Sequence, residues 1–219
     1  MFHTYDSVVK HARGKYIVFM DDDDYAKPHQ IETLMRVALA TSANVVTSGH
    51  DVFHGRNYPP GNMDTLSRYI PLGSAKLPGM LQNIFGDSKF LVEKNFFIDL
   101  GGFTEDYGVG FEDYEFLARV VLHGHHLEAV PEPLNYYRRH ENTMSDNTNL
   151  KANQIRFLRA YMEAHAFAPV VQQQLLAHTQ KLFFERAGKW NFLSCFPFLF
   201  FFVFALHRCH YLFIYFFIY

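Results

Sequence analysis

Three groups of side chains have the types and spacing to do chemistry. Asp21, Asp22, Asp23 and Asp24 stand in one run directly after an apolar stretch. Four adjacent carboxylates repel each other, and a hard divalent cation relieves that repulsion. Mg²⁺ typically takes only one or two carboxylates and leaves room for diphosphate oxygens. A solvated acidic turn accounts for the same run without chemistry. Two rival site patterns fail: Tyr25 stands where an aspartyl-phosphate phosphatase needs Thr or Val, and the alternating ligands, central Gly and closing Glu of a calcium loop are absent. Glu112 and Asp113 form the second group, delivered by a glycine-rich segment to the first turn of a helix. A carboxylate there complements the helix dipole and needs no further role. Two neighbouring carboxylates, however, disfavour joint ionisation, which raises one pKa and makes a better general base. The third group, Arg138, Arg139 and His140, offers two guanidinium groups and an imidazole, suited to phosphate oxygens or to a metal ion.

The elements that must position these groups follow from periodicity. Tyr16 to Met20 is a short run of strand formers that ends at the aspartates. Pro28 opens a helix with Ile31, Leu34, Met35 and Ala38 on one face. Asn44 to Phe53 reads as a second strand, followed by a Gly-, Pro- and Asn-rich loop over 55–64. Lys89 to Val92 makes a short strand. Phe111 to Gly124 is a helix with Tyr114, Leu117, Ala118 and Val121 on one stripe. An extended segment from Leu127 to Tyr137 is broken by Pro131 and Pro133. Two amphipathic helices, 151–167 and 170–188, are separated by Pro169. Strands alternating with helices predict an α/β architecture. His123, His125 and His126, at a helix end, read as surface or capping residues.

Composition sets the outer bounds. The chain has 219 residues, 20 basic and 22 acidic side chains and a net charge of -2, which gives no electrostatic footprint for nucleic acid. At 49% hydrophobic it is too apolar for disorder, and two cysteines cannot make a disulfide scaffold. Ten of the 24 phenylalanines and both cysteines fall in residues 192–219. That tail has an apolar run of Phe192 to Leu206, shorter than the roughly 17 residues a spanning helix needs. Joined to Tyr211–Tyr219 it would bury His207, Arg208 and His210 in lipid. A membrane-contacting segment and a translated noncoding stretch both account for it. The first residues, MFHTYDSVV, lack the basic and apolar regions of a signal peptide. The compartment is therefore open between cytoplasmic and membrane-associated.

Taken together, GKYIVFMDDDD, GGFTEDYGVGFEDYEFLAR and YYRRHENTMS resemble, in order and spacing, the inverting family 2 glycosyltransferases of the GT-A fold. The resemblance covers roughly residues 8–145. It implies a GT-A sheet with flanking helices for residues 1–148; periodicity and composition then set off C-terminal amphipathic helices over 149–191 and the aromatic tail over 192–219. It further implies that Asp21 and Asp23 hold Mn²⁺ or Mg²⁺ and the donor diphosphate, with Asp23 the direct ligand and His140 a further one. Asp22, Arg138 and Arg139 would lie against the nucleotide-diphosphate sugar. Asp113 would be the general base, with Glu112 beside it, and Gly101 and Gly102 would shape the acceptor-side turn. The acceptor would be the hydroxyl of a glycan, a lipid-linked sugar or a protein.

The sequence departs from that pattern at its start. In the family the metal-binding strand is normally the fourth, whereas here Gly14 and Lys15 already open it. The expectation is a sheet that lacks its first strands, with an unpaired apolar edge, in a truncated stretch of a longer protein. A catalytically incomplete module that only binds a glycan or a partner is the alternative.

Overall fold

The computed structural model describes residues 8–55, 65–104, 110–140, 150–165 and 167–187. The expected binding loop, beyond Gly55, and the aromatic tail lie outside them. The strands are β1 (Tyr16–Val18), β2 (Tyr25–Ala26), β3 (Val45–Phe53), β4 (Thr65–Tyr69), β5 (Leu91–Glu93) and β6 (Leu127–Arg138). The helices are α1 (Gln30–Thr41), α2 (Lys76–Leu81), α3 (Lys94–Asp99), α4 (Glu112–Leu122), α5 (Leu150–Glu163) and α6 (Pro169–Ala187). One mixed sheet runs β1-β5-β3-β6-β2, with β4 paired to β3. Among the described residues only β3 and β6 are parallel; the other pairings are antiparallel. Among the described residues β1 pairs with β5 alone, so it forms one edge of the sheet, as expected.

The largest core is aromatic. Phe19, 6% exposed, packs against Phe90, Phe97 and Phe103 with ring centroids 5.5, 5.1 and 5.2 Å away. Phe90 stacks on Phe116 of α4 at 5.4 Å. Phe19 lies just beyond β1 and two residues before the first aspartate, so this packing fixes where the acidic run begins. Replacing it with alanine would cost about 3–5 kcal/mol. Helices α5 and α6 add Ile155, Phe157, Tyr161, Leu175 and Leu182 to the same core.

Three expectations need correction. Ile31 is 51% exposed, because α1 turns Gln30, Thr33, Leu34 and Ala38 inward instead. Its side-chain amide explains the rotation: Gln30 Nε2 donates to the buried Asn135 Oδ1 at 3.0 Å. Pro131 and Pro133 do not break β6, since they sit where its pairing with β3 slips between Ser48 and Gly49. A bulge is where a strand tolerates a missing N–H. Pro169 opens α6 rather than separating it from α5, as its fixed φ and lost donor permit at a first helical position.

Candidate active site

The acidic run is a tight turn that sorts its four carboxylates. The Asp24 N–H donates to the Asp21 carbonyl at 3.3 Å, and each side chain then meets a different environment. Asp24 is buried, with its carboxylate 2.8 Å from Lys89 Nζ and accepting the Arg138 N–H at 2.7 Å. Asp21 lies 3.2 Å from the same ammonium and accepts from Ser88 Oγ at 3.3 Å. Asp22 is exposed. Asp23 is partly exposed and bonds His140 Nε2 at 3.1 Å.

Lys89 is the hub of this arrangement and was not singled out in the sequence. Its side chain is 1% exposed, and Asp87 lies 3.4 Å away as a third carboxylate. Burial disfavours the ammonium, yet Asp87, Asp24 and Asp21 outweigh that and raise its pKa. Burial raises the Asp24 carboxyl, with Lys89 only partly offsetting it. For Asp87 the balance is reversed: Lys89 and His50 overcome burial and hold the carboxyl well below the usual range. A lysine opening the apolar run Phe90-Leu91-Val92 was the available signal, because a cation there enters the core only with anionic partners.

Asp113 and Glu112 begin α4 after an unusual turn. Gly110 has φ 111°, and Phe111, a bulky residue, follows at φ 63°. Such a conformation costs about 1–3 kcal/mol and persists only where the surroundings enforce it. Here Gly110 N–H donates to Glu112 Oε1 at 2.9 Å, Arg156 Nη1 donates to the Gly110 carbonyl, and the same guanidinium lies 3.6 Å from Glu112. Glu112 is thus engaged by the turn. Among the described residues Asp113 accepts only its neighbour Tyr114's N–H, at 2.7 Å. Burial, with the negative charges of Asp87 and Glu112, pushes its pKa up to about 7. A carboxyl tuned to that value suits proton removal near neutral pH. Behind it, Arg119 bridges Glu115 at 2.6 Å and the carbonyls of Leu100 and Gly102, which clamps the Gly101–Gly102 turn to α4.

The third group divides. His140 reaches Asp23, whereas the Arg138 guanidinium is bonded to the Tyr25 hydroxyl and stacked 5.6 Å from the Phe53 ring. Arg139 is exposed, and its N–H donates to the Phe53 carbonyl at 2.9 Å. Among the described residues no three His, Cys, Asp or Glu side chains converge as a metal-ligand set. Asp23 with His140 is the pair that fits an ion, since both are accessible and close. Carboxylate suits Mg²⁺ or Mn²⁺ while imidazole favours a transition metal, so the pair fits Mn²⁺ better. Asp21 is engaged by Lys89 and Ser88. No described helix is long and apolar enough to cross a membrane.

This fold has relatives. The structure is similar to that of S. aureus TarS 1-349 in complex with UDP-GlcNAc, with TM-score 0.54 and 14% identity over 87% of this chain and 53% of that one. The TarS complex with UDP gives TM-score 0.54 at 13% identity over 89% and 53%. At such identity the likeness establishes the fold, a mixed α/β sheet with flanking helices of GT-A type. The chain spans about half the length of the TarS chains it matches. No curated protein matches it. In sequence, the family described as "Glycosyl transferase family 2" matches residues 5–96, and "Glycosyltransferase like family 2" matches residues 75–184. These two matches overlap and together take in the acidic run, Lys89 and the Glu112–Asp113 pair, so the chain belongs to glycosyltransferase family 2.

Proposed function

We propose that the chain carries the catalytic part of an enzyme that moves a sugar from a nucleotide-diphosphate sugar to an acceptor hydroxyl with inversion. The observation that carries this is Asp113: a partly buried carboxyl with its pKa lifted to about 7, on a family 2 frame. Asp113 takes the proton from the acceptor hydroxyl as that oxygen attacks the anomeric carbon. The bond to the diphosphate breaks on the opposite side, in one displacement without a covalent enzyme intermediate. Glu112, held by Gly110 and Arg156, keeps the turn in place and its charge maintains the basicity of Asp113. Asp23 and His140 would hold the divalent cation, and a bound cation would neutralise charge on the departing diphosphate. Asp21 and Asp24, both paired with Lys89, shape the turn that presents Asp23. Arg139 lies at the same strand end, within the segment expected to face phosphate. TarS, whose fold this is, was captured with UDP-GlcNAc and with UDP, which favours a uridine donor as the first probe.

The test is hydrolysis of UDP- and GDP-sugars by the 219-residue chain with Mn²⁺, beside Asp113→Asn and Asp23→Ala. Turnover that disappears in both variants supports the reading. Folded wild-type chain that binds sugars but hydrolyses no donor would overturn it in favour of a glycan-binding module.

A further inference from the structure

A second constellation lies beside the carboxylates and has no part in the mechanism above. Three neighbouring strands, β4, β3 and β6, contribute Tyr69, His50 and Tyr137. The His50 ring lies between the two phenols, 5.1 Å from Tyr69 and 5.2 Å from Tyr137. All three residues are partly exposed. His50 Nδ1 is 2.7 Å from Asp87 Oδ2. Asp87 is anionic and can only accept, so Nδ1 carries the proton and, in the neutral ring, Nε2 presents a lone pair. Among the described residues Nε2 has no protein partner. Asp87 itself is fixed by the Lys89 N–H at 3.0 Å and by the Lys89 ammonium.

Position matters as much as composition. The Tyr69 phenol is within electrostatic reach of both Asp87 and Asp113, so this row lies on the side of the sheet that carries the carboxylates. Its own hydroxyl donates to the Asn83 carbonyl at 3.2 Å, so the ring is held in place. Flat, partly exposed rings offer stacking surface to the C–H face of a pyranose, while an oriented acceptor nitrogen takes a hydroxyl proton. That is the chemistry of carbohydrate recognition: an apolar wall and a few placed polar atoms.

We propose that His50, oriented by Asp87 between Tyr69 and Tyr137, is the hydroxyl-accepting wall of a monosaccharide subsite beside Asp113. The proposal rests on the glycosyltransferase reading for the role of that sugar, not for its binding. The ligand is a hexose ring, carried either by the nucleotide donor or by the acceptor. His50 is a positioning residue, since the proton that moves in the reaction belongs to Asp113.

The experiment is ¹⁵N NMR of the whole chain labelled at histidine, with UDP, UDP-GlcNAc and methyl N-acetyl-β-glucosaminide as separate probes. His50→Phe assigns the resonance, and His50→Gln serves if the first variant does not fold. The His50 Nε2 signal is expected to move with a sugar-bearing probe and to stay fixed with UDP. Movement with UDP-GlcNAc alone assigns the subsite to the donor sugar; movement with the methyl glycoside assigns it to the acceptor. His50→Phe should weaken the responding probe about tenfold, the loss of one good hydrogen bond, while UDP affinity holds. A signal unmoved by both sugar-bearing probes overturns the subsite. Movement with the methyl glycoside, with UDP perturbing no resonance at all, keeps the subsite and sinks the nucleotide-sugar reading instead.

Discussion

Lys89 Nζ and the Asp24 carboxylate meet at 2.8 Å with both side chains 1% exposed. A buried pair of this kind is costly to break from one side, because the partner is left charged and unsolvated. Lys89→Met strands Asp24, Asp21 and Asp87 together. It should lower unfolding free energy by about 3–5 kcal/mol, measured by urea denaturation. It should also shift the Asp113 limb of the pH profile upward, since the ammonium now lowers that pKa. A limb that stays in place while stability falls would confine Lys89 to a structural role.

Asp113→Asn should reduce transfer by roughly 10²–10⁴-fold with the fold intact by circular dichroism, the usual worth of a positioned base. In the wild type the base is available only when deprotonated. kcat/KM should therefore rise with pH up to about 7 and level off above it. A rate that is flat between pH 5.5 and 8.5 would remove Asp113 from this role.

His140→Ala removes one half of an accessible pair, so stability should hardly change. The Mn²⁺ concentration giving half-maximal donor hydrolysis should rise severalfold, as loss of one of a few ligands predicts. An unchanged Mn²⁺ requirement would detach His140 from the cation.

Asp51 is a separate reporter of acid stability. It is 3% exposed, 2.7 Å from Lys27 and 2.7 Å from Arg68. Burial alone would raise its carboxyl, but the Arg68 and Lys27 bonds outweigh it and the pKa is lowered. Its stabilisation is complete above the unfolded value of about 3.9 and is lost as pH falls through the folded one. Asp51→Asn should be less stable than wild type by about 3 kcal/mol at neutral pH, and the gap should close in acid. A gap that persists undiminished at the lowest pH would contradict this.

Gly79→Ala would place a Cβ 2.0 Å from the Phe85 ring, which is itself fully buried. The expected gain in helix propensity, about 1 kcal/mol, should be overtaken by an overpacking cost of about 1–3 kcal/mol. A calorimetric Tm above wild type would show that Phe85 can yield.

Much of the site was legible in the sequence because its groups are local. Asp21 to Asp24 follow a strand and Glu112–Asp113 open a helix, so the element that carries each group is readable from the adjoining residues. The family resemblance named Asp21, Asp23 and His140 as metal residues, and of these Asp23 and His140 lie 3.1 Å apart. What stayed hidden depends on contacts across the sheet. Lys89 looked like the first residue of a strand, and nothing within a few residues indicates three carboxylates around it. His50, Tyr69 and Tyr137 come from three strands whose adjacency only the topology supplies. Strand β4 and helices α2 and α3 went unread for another reason. They are five or six residues long, too short for a period to emerge, and β4 is largely exposed. Arg138 shows the opposite limit: its charge suggested phosphate, but tyrosine and phenylalanine rings hold it.

The slip in register beside Gly49 divides β3 into two working halves. Val45 to Ser48 are buried without exception, whereas from His50 to Phe53 partly exposed and buried residues alternate. Gly49 marks the boundary, where an added methyl would come 2.4 Å from the Tyr69 carbonyl. A redesign of ligand preference could therefore vary His50 and Val52 while the first half of the same strand keeps the sheet together. Tolerance to substitution should change abruptly at one residue rather than fade along the strand.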